Sequence, residues 1–191
     1  MEEIGDNEHI KLYLEGNTEN FAFLIEKYTP QIYGFLFHMV KNKSDADDIT
    51  QDTFVKAWRK IDTYRIGENF RGWLFSIAHN TAIDWLRKKK KQYVFSDLDY
   101  DEENSFLESI PDTLPLADEL VARAEDTVLV QKCMEKLSPQ HQEVLLLHYT
   151  NEFTFDEIGK MLGKPLNTVK SQHRRALAQL KNLLNAPYDQ N

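Results

Sequence analysis

Two stretches of this chain carry residue types suited to handling nucleic acid. Phe70 to Lys91 (FRGWLFSIAHNTAIDWLRKKKK) combines aromatic side chains with a five-residue basic run at its end. Rings can stack on unpaired bases while lysines follow a phosphate backbone, which is how single strands are held without reading sequence. The plainer reading is that Trp73 and Trp85 are core residues and the basic run is a solvated helix end favoured by the macrodipole. Thr154 to Leu180 (TFDEIGKMLGKPLNTVKSQHRRALAQL) reads as a helix of about eight residues, a glycine-containing turn and a second, polar and basic helix, a helix-turn-helix pattern. On that second helix Val169, Ala176, Leu177 and Leu180 would face a core. Thr168, Lys170, Ser171, Gln172, Arg174 and Arg175 would face a major groove. Gln and Arg match adenine and guanine edges, whereas Lys, Ser and Thr suit phosphates. A charged face in an ordinary helical bundle is the competing reading.

Other candidate sites fall away on spacing. Asp45, Asp47, Asp48 and Asp52 lack the central glycine and terminal glutamate of a calcium loop. A capped helix start with a solvated acidic face is the simpler account, and a protein-binding face the next. The six histidines (His9, His38, His79, His141, His148 and His173) show no metal-ligand spacing. No phosphate loop and no nucleophile elbow occurs, so nothing points to catalysis or to a cofactor.

The elements that would position these stretches are helices. Only 7 glycines and 6 prolines occur in 191 residues, hairpin dipeptides are missing, and apolar residues recur every three or four positions, which predicts an all-α fold. A strongly apolar helix is expected from Asn20 to about Lys41, kinked or divided at Pro30 and Gly34. Ser44 to Asp47 offers an N-cap for a helix running to about Lys60, with Ile49, Phe54 and Trp58 near one face. Ile61 to Asn69 reads as a loop, followed by a helix to about Lys90 with Trp73 or Leu74, Ile77, Ala78, Thr81 and Trp85 as its apolar stripe. A further helix spans about Leu116 to Leu137. Ser138-Pro139 stops it and starts the next, which ends near Thr150. Thr154 and Glu157 form a capping box, Phe153 and Ile158 a candidate staple, and Gly163 suits a left-handed C-cap. The last helix runs to about Leu184.

The chain is long enough for two small domains. We expect residues 1–91 and 116–191 to form them, joined by a flexible acidic linker at 92–115. The net charge of −8 is localised: residues 1–91 hold 14 basic and 14 acidic side chains, 92–122 hold none and 9, and 123–191 hold 9 and 8. With neutral flanks, the isolated protein should bind duplex weakly, because phosphate neutralisation drives affinity. The single cysteine, Cys133, excludes an internal disulfide and fits a reducing compartment. The acidic first residues do not read as a signal peptide, and no stretch reaches the roughly 18 apolar residues of a membrane span. A cytoplasmic protein without membrane contact is therefore expected.

With these residues assembled, the chain resembles bacterial RNA polymerase sigma factors of the extracytoplasmic-function (group 4, sigma-70-like) type over about residues 8–185. DADDITQDTFVKAW (Asp45 to Trp58) is similar to region 2.2, and FRGWLFSIAHNTAIDWLRK (Phe70 to Lys88) to regions 2.3 and 2.4. LSPQHQEVLLLHY with TFDEIGKMLGKPLNTVKSQHRRAL is similar to regions 4.1 and 4.2. The resemblance implies a non-enzymatic protein that binds core RNA polymerase, at the β′ clamp and the β flap, and directs it to promoter DNA. It puts Asp48, Gln51 and Asp52 on the face that docks on the β′ clamp helices. The loop Ile61 to Gly72 would hold a flipped base of the −10 element, with Arg71, Trp73, Asn80, Arg87, Lys88, Lys89 and Lys90 (and Lys91) lining the single-strand path. Thr168, Lys170, Ser171, Gln172, Arg174 and Arg175 would serve the −35 duplex, and the acidic linker would thread a polymerase channel. An anti-sigma factor is a further possible partner. In place of the family's frequent TVKSRL this chain has TVKSQH, with Gln172 for a basic residue and His173 for an apolar one, and Pro165 stands at a frequent polar cap. The alternative is a conventional helix-turn-helix regulator binding duplex DNA alone.

Overall fold

A computed structural model describes residues 4–93 and 127–185 of the chain. Among them are eight α-helices and no strand. The first four are α1 (Asp6–Leu14), α2 (Glu19–Val40), α3 (Lys43–Lys60) and α4 (Phe70–Tyr93), with a single 3-10 turn (Ile61–Thr63) after α3. The second four are α5 (Thr127–Glu135), α6 (Pro139–Leu145), α7 (Phe155–Leu162) and α8 (Leu166–Asn185), with one π turn (Leu146–Thr150) closing α6. The acidic linker beyond Tyr93 and the expected helix start at Leu116 lie outside the described residues.

Helix starts follow local chemistry. Ser138 accepts from the His141 N–H with Pro139 in the first turn, and Thr154 and Glu157 close a full capping box on α7. Gly163 ends α7 in the left-handed region at φ 64°, which glycine adopts without strain. Replacing Thr154 with alanine should cost about 1 kcal/mol, measured as a shift in urea midpoint. Two expectations need correction. α3 begins at Lys43, capped by the Asn42 side chain accepting from the Asp45 N–H, so the Ser44 to Asp47 box is already inside the helix. α2 is not divided at Pro30 and runs unbroken to Val40, because its apolar face (Leu24, Tyr28, Ile32, Phe35, Leu36) is buried throughout. Tertiary burial outweighs the one hydrogen bond that proline removes.

α1 has no counterpart among the predicted elements. It is short and weakly apolar, yet it buries His9 and Ile10 against α2. Along α4 the fully buried positions are Leu74, Phe75, Ala78 and Ala82, whereas Trp73 and Trp85 are half-buried at the edge of the core.

The two sets of helices share one apolar cluster, from Ile10 through Phe75 to Phe153, Ile158 and Val169. Its bridge is Phe75 of α4, whose ring lies 5.3 Å from Phe35 and 5.0 Å from Phe153. Around it Asn69 Nδ2 donates to Glu157 Oε1 at 2.6 Å, and His79 Nδ1 lies 2.7 Å from Glu143 Oε1. A smaller cluster of Cys133, Leu137, Leu145, Ala176 and Leu180 holds α5 against α6 and α8.

Candidate nucleic-acid interface

The loop between α3 and α4 has a buried frame and an exposed tip. Tyr64 and Phe70 are buried, and their rings meet edge-on at 5.6 Å, with Trp73 5.4 Å from Tyr64. Burial, with the nearby Glu68 and Asp6 charges adding to it, pushes the Tyr64 hydroxyl up to about 12. It therefore stays a proton donor. Between the two rings, Arg65, Ile66, Gly67, Glu68 and Asn69 are exposed, with Ile66 54% accessible. Asn69 caps α4 by accepting from the Gly72 N–H at 3.0 Å.

From that loop the candidate single-strand residues run the length of α4. Arg71 and Lys89 are eighteen positions apart, roughly 27 Å at 1.5 Å per residue, too far to line one pocket. Asn80, Arg87 and Lys88 are exposed. Arg71 is engaged: its Nε donates to Gln31 Oε1 at 3.0 Å, and its guanidinium lies 4.5 Å from the Phe153 ring centre. Lys89 is also engaged, 2.8 Å from Asp45 Oδ2 and 4.4 Å from the Trp85 ring. The Lys90 side chain lies outside the described residues.

On α3, Asp48, Gln51 and Asp52 are all exposed and share one face. Asp52 is paired with Lys56 at 2.9 Å. The sequence puts Trp58 near one face with Ile49 and Phe54, which are buried. Trp58 is instead 54% exposed, with Nε1 donating to Tyr13 Oη at 2.7 Å, and with Val55 (43% exposed) it extends the acidic face as an apolar stripe. The spacing Asp48, Gln51, Val55, Trp58 carried that signal.

In the second set, α7 and α8 form the expected hairpin. Gly159 lets them approach: a Cβ there would lie 2.8 Å from the Lys164 carbonyl oxygen, a backbone atom that cannot swing aside. Gly159→Ala should therefore lose about 1–3 kcal/mol, read as a lower urea midpoint, and weaken duplex binding in parallel. α8 starts one residue after Pro165, whose carbonyl accepts from the Thr168 and Val169 N–H groups. Thr168, Lys170 and Arg175 are exposed, and Ser171, Gln172 and Arg174 are half-buried.

The two residues that set TVKSQH apart are both tied sideways. Gln172 Nε2 donates to Gln140 Oε1 at 3.2 Å, and its Oε1 accepts from Lys164 Nζ at 3.3 Å. His173 packs among His148, Tyr149 and Phe155, with the Tyr149 hydroxyl 3.0 Å from its Nε2. Burial, then the neighbouring His148, lowers His173 to about 4 from an ordinary 6.5. A base whose folded pKa is depressed stabilises the fold only while neutral. The contribution is complete above pH 6.5 and declines as pH falls toward 4, where the unfolded chain takes the proton first. Urea midpoints compared at pH 7.5 and pH 5 should show a loss that His173→Phe diminishes.

These surfaces belong to known regions. Residues 24–92 match the family model of Sigma-70 region 2, and residues 127–180 match that of Sigma-70, region 4. The ECF RNA polymerase sigma factor SigW of Bacillus subtilis (strain 168) is 31% identical over 176 residues, covering 92% of this chain and 94% of SigW. The chain belongs to the ECF RNA polymerase sigma factors. The RNA polymerase sigma factor YlaC of the same organism is 32% identical over 158 residues, 83% of this chain and 88% of YlaC. Among solved structures, the sigma factor RpoE in complex with the anti-sigma factor NepR from Bartonella quintana superposes with a TM-score of 0.68 at 25% identity, over 89% of this chain and 99% of RpoE. This sigma factor binds core RNA polymerase and promoter DNA and starts transcription; sigma factors are not themselves catalysts. No described helix is long and apolar enough to cross a membrane.

Proposed function

We propose the following division of labour within this sigma factor. The exposed α3 face of Asp48, Gln51 and Asp52, extended by Val55 and Trp58, docks on the β′ clamp of the polymerase, and the second set of helices reaches the β flap. The loop from Ile61 to Gly72 receives a base flipped out of the −10 element. Arg71, Trp73, Asn80 and Arg87 to Lys90 then guide the separated strand along α4. Thr168, Lys170, Ser171, Arg174 and Arg175 contact the −35 duplex, with Gln172 at the edge of that face. The observation that carries the reading is the loop itself: a buried aromatic frame presenting an exposed tip at the head of a helix that ends in a basic run. A flipped base must be repaid in stacking and pocket contacts; with Tyr64 and Phe70 buried, those contacts would come from the exposed Arg65, Ile66 and Glu68 and the half-buried Trp73 that the frame holds in place. Residues 1–91 act as the −10 unit, 116–191 as the −35 unit, and 92–115 as the linker between them. By analogy with the RpoE–NepR pair, an anti-sigma factor regulates this chain in a cytoplasmic setting.

The test is transcription in vitro, using core polymerase from the source organism and its genomic fragments as templates. Discrete transcripts that appear only when the protein is added support the reading. Their absence, with tight duplex binding by the isolated chain, would point to a conventional regulator.

A further inference from the structure

The side chain of Asn7, on α1, makes contacts out of proportion to its place near the end of the described chain. Its Oδ1 accepts from the Gly67 backbone N–H at 2.9 Å and lies 2.9 Å from the Tyr64 hydroxyl. Its Nδ2 donates to the Glu68 carbonyl at 3.2 Å. The orientation of the amide is forced, since an N–H needs an acceptor and a carbonyl needs a donor. One side chain thus satisfies a backbone donor and a backbone acceptor of two consecutive residues at the tip of the α3–α4 loop and bonds the hydroxyl of the buried ring that anchors it.

The loop needs this help. Gly67 sits at φ 97°, a conformation other residues rarely adopt, and no regular element pairs with residues 65–69. The Glu68 N–H reaches the Arg65 carbonyl at 3.1 Å and the Asn69 carbonyl accepts from the Trp73 N–H, but without Asn7 the Gly67 N–H would be left to water and the tip would be held less firmly. The Tyr64 hydroxyl lies between Asn7 Oδ1 and the Glu68 carbonyl, so the ring frame and the tip are tied to one another through Asn7. α1 is in turn fixed by Asp6, which receives the Tyr28 hydroxyl and pairs with Lys27 at 2.7 Å.

We infer that Asn7 is a positioning residue for −10 recognition, holding residues 64–69 in the shape that receives the flipped base without touching the DNA itself. This rests on the proposed role of the loop. Preorganisation of this kind raises affinity by removing the ordering cost from the binding step. It also gives α1, which packs His9 and Ile10 against α2, a role at the loop.

The experiment uses the holoenzyme, assembled from core polymerase and the full chain. One probe is a promoter fragment whose non-template strand is single-stranded across the −10 element, with 2-aminopurine placed at each position in turn. The other is a −35-only duplex. Asn7→Ala should weaken the −10 probe roughly tenfold and reduce the 2-aminopurine signal at the flipped position, while the −35 duplex and core binding are unchanged. Asn7→Asp keeps the acceptor for Gly67 and Tyr64 but cannot donate to Glu68, so it should fall between wild type and Asn7→Ala. Equal losses on both probes and in core binding would overturn the inference, because Asn7 would then be merely structural. Unchanged −10 binding in Asn7→Ala, while Arg65→Ala with Ile66→Ala abolishes it, would overturn the inference and leave the loop's role standing. If that double variant is also without effect, the loop reading fails and the inference fails with it.

Discussion

Core polymerase supplemented with the Gln51→Ala, Asp52→Ala double variant should give almost no promoter-specific transcripts, a loss of roughly 30-fold or more if these residues act as an interface hot spot. Both side chains are exposed and neither contributes to the core, so helicity and thermal stability should remain close to wild type. That separation makes the result decisive. Asp52 loses its Lys56 partner, but an exposed pair of this kind contributes little to stability. The transcription defect should coincide with loss of polymerase binding in a pull-down, with −35 duplex binding by the variant unaltered. Normal transcription from the variant would remove the α3 face from the docking proposal.

Phe153→Ala should be the most destabilising single change outside the first set of helices. Phe153 is 2% exposed and fills the junction between the two sets, with Phe75 on one side and the Arg71 guanidinium above its ring. Truncating a buried phenylalanine costs about 3–5 kcal/mol through lost burial and the remaining cavity. For a chain of this size that corresponds to a fall of roughly 10 °C in Tm. Removing the shared ring should also loosen the contact between the sets. A donor–acceptor dye pair, one dye on each set, should report a longer mean distance in the variant. An unchanged Tm would show that the two sets are packed by other contacts.

Where local chemistry decided the structure, the sequence was a sufficient guide. The Thr154–Glu157 box, Ser138-Pro139 and Gly163 each specify a helix end by satisfying backbone groups within three or four residues. The helix-turn-helix was legible for that reason. Long-range satisfaction was not. Nothing in the residues near Asn7 indicates that its amide reaches Gly67 and Glu68, because the pairing depends on how α1 packs across α2. Trp58 was grouped with Ile49 and Phe54 because all three are apolar, although its spacing from Asp48, Gln51 and Val55 sets it on the exposed stripe of α3. The sideways ties of Gln172 and His173 depend on Gln140 and Tyr149, contributed by α6 and the π turn that closes it.

The joint between Asn69 and Glu157 is divided at the level of single atoms. Glu157 caps α7 through Oε2 and offers Oε1 to Asn69, while Asn69 caps α4 through Oδ1 and donates to Glu157 through Nδ2. Burial alone would raise the Glu157 carboxyl, but hydrogen bonds from Thr154 and Asn69 and the Arg71 charge bring it below its ordinary value, so it remains an acceptor. Across the junction this joint adds one hydrogen bond while each helix keeps its own cap. Parting the two sets would also expose the Phe75 and Phe153 rings, so the shared apolar cluster holds the halves together and the polar joint fixes the register in which they meet.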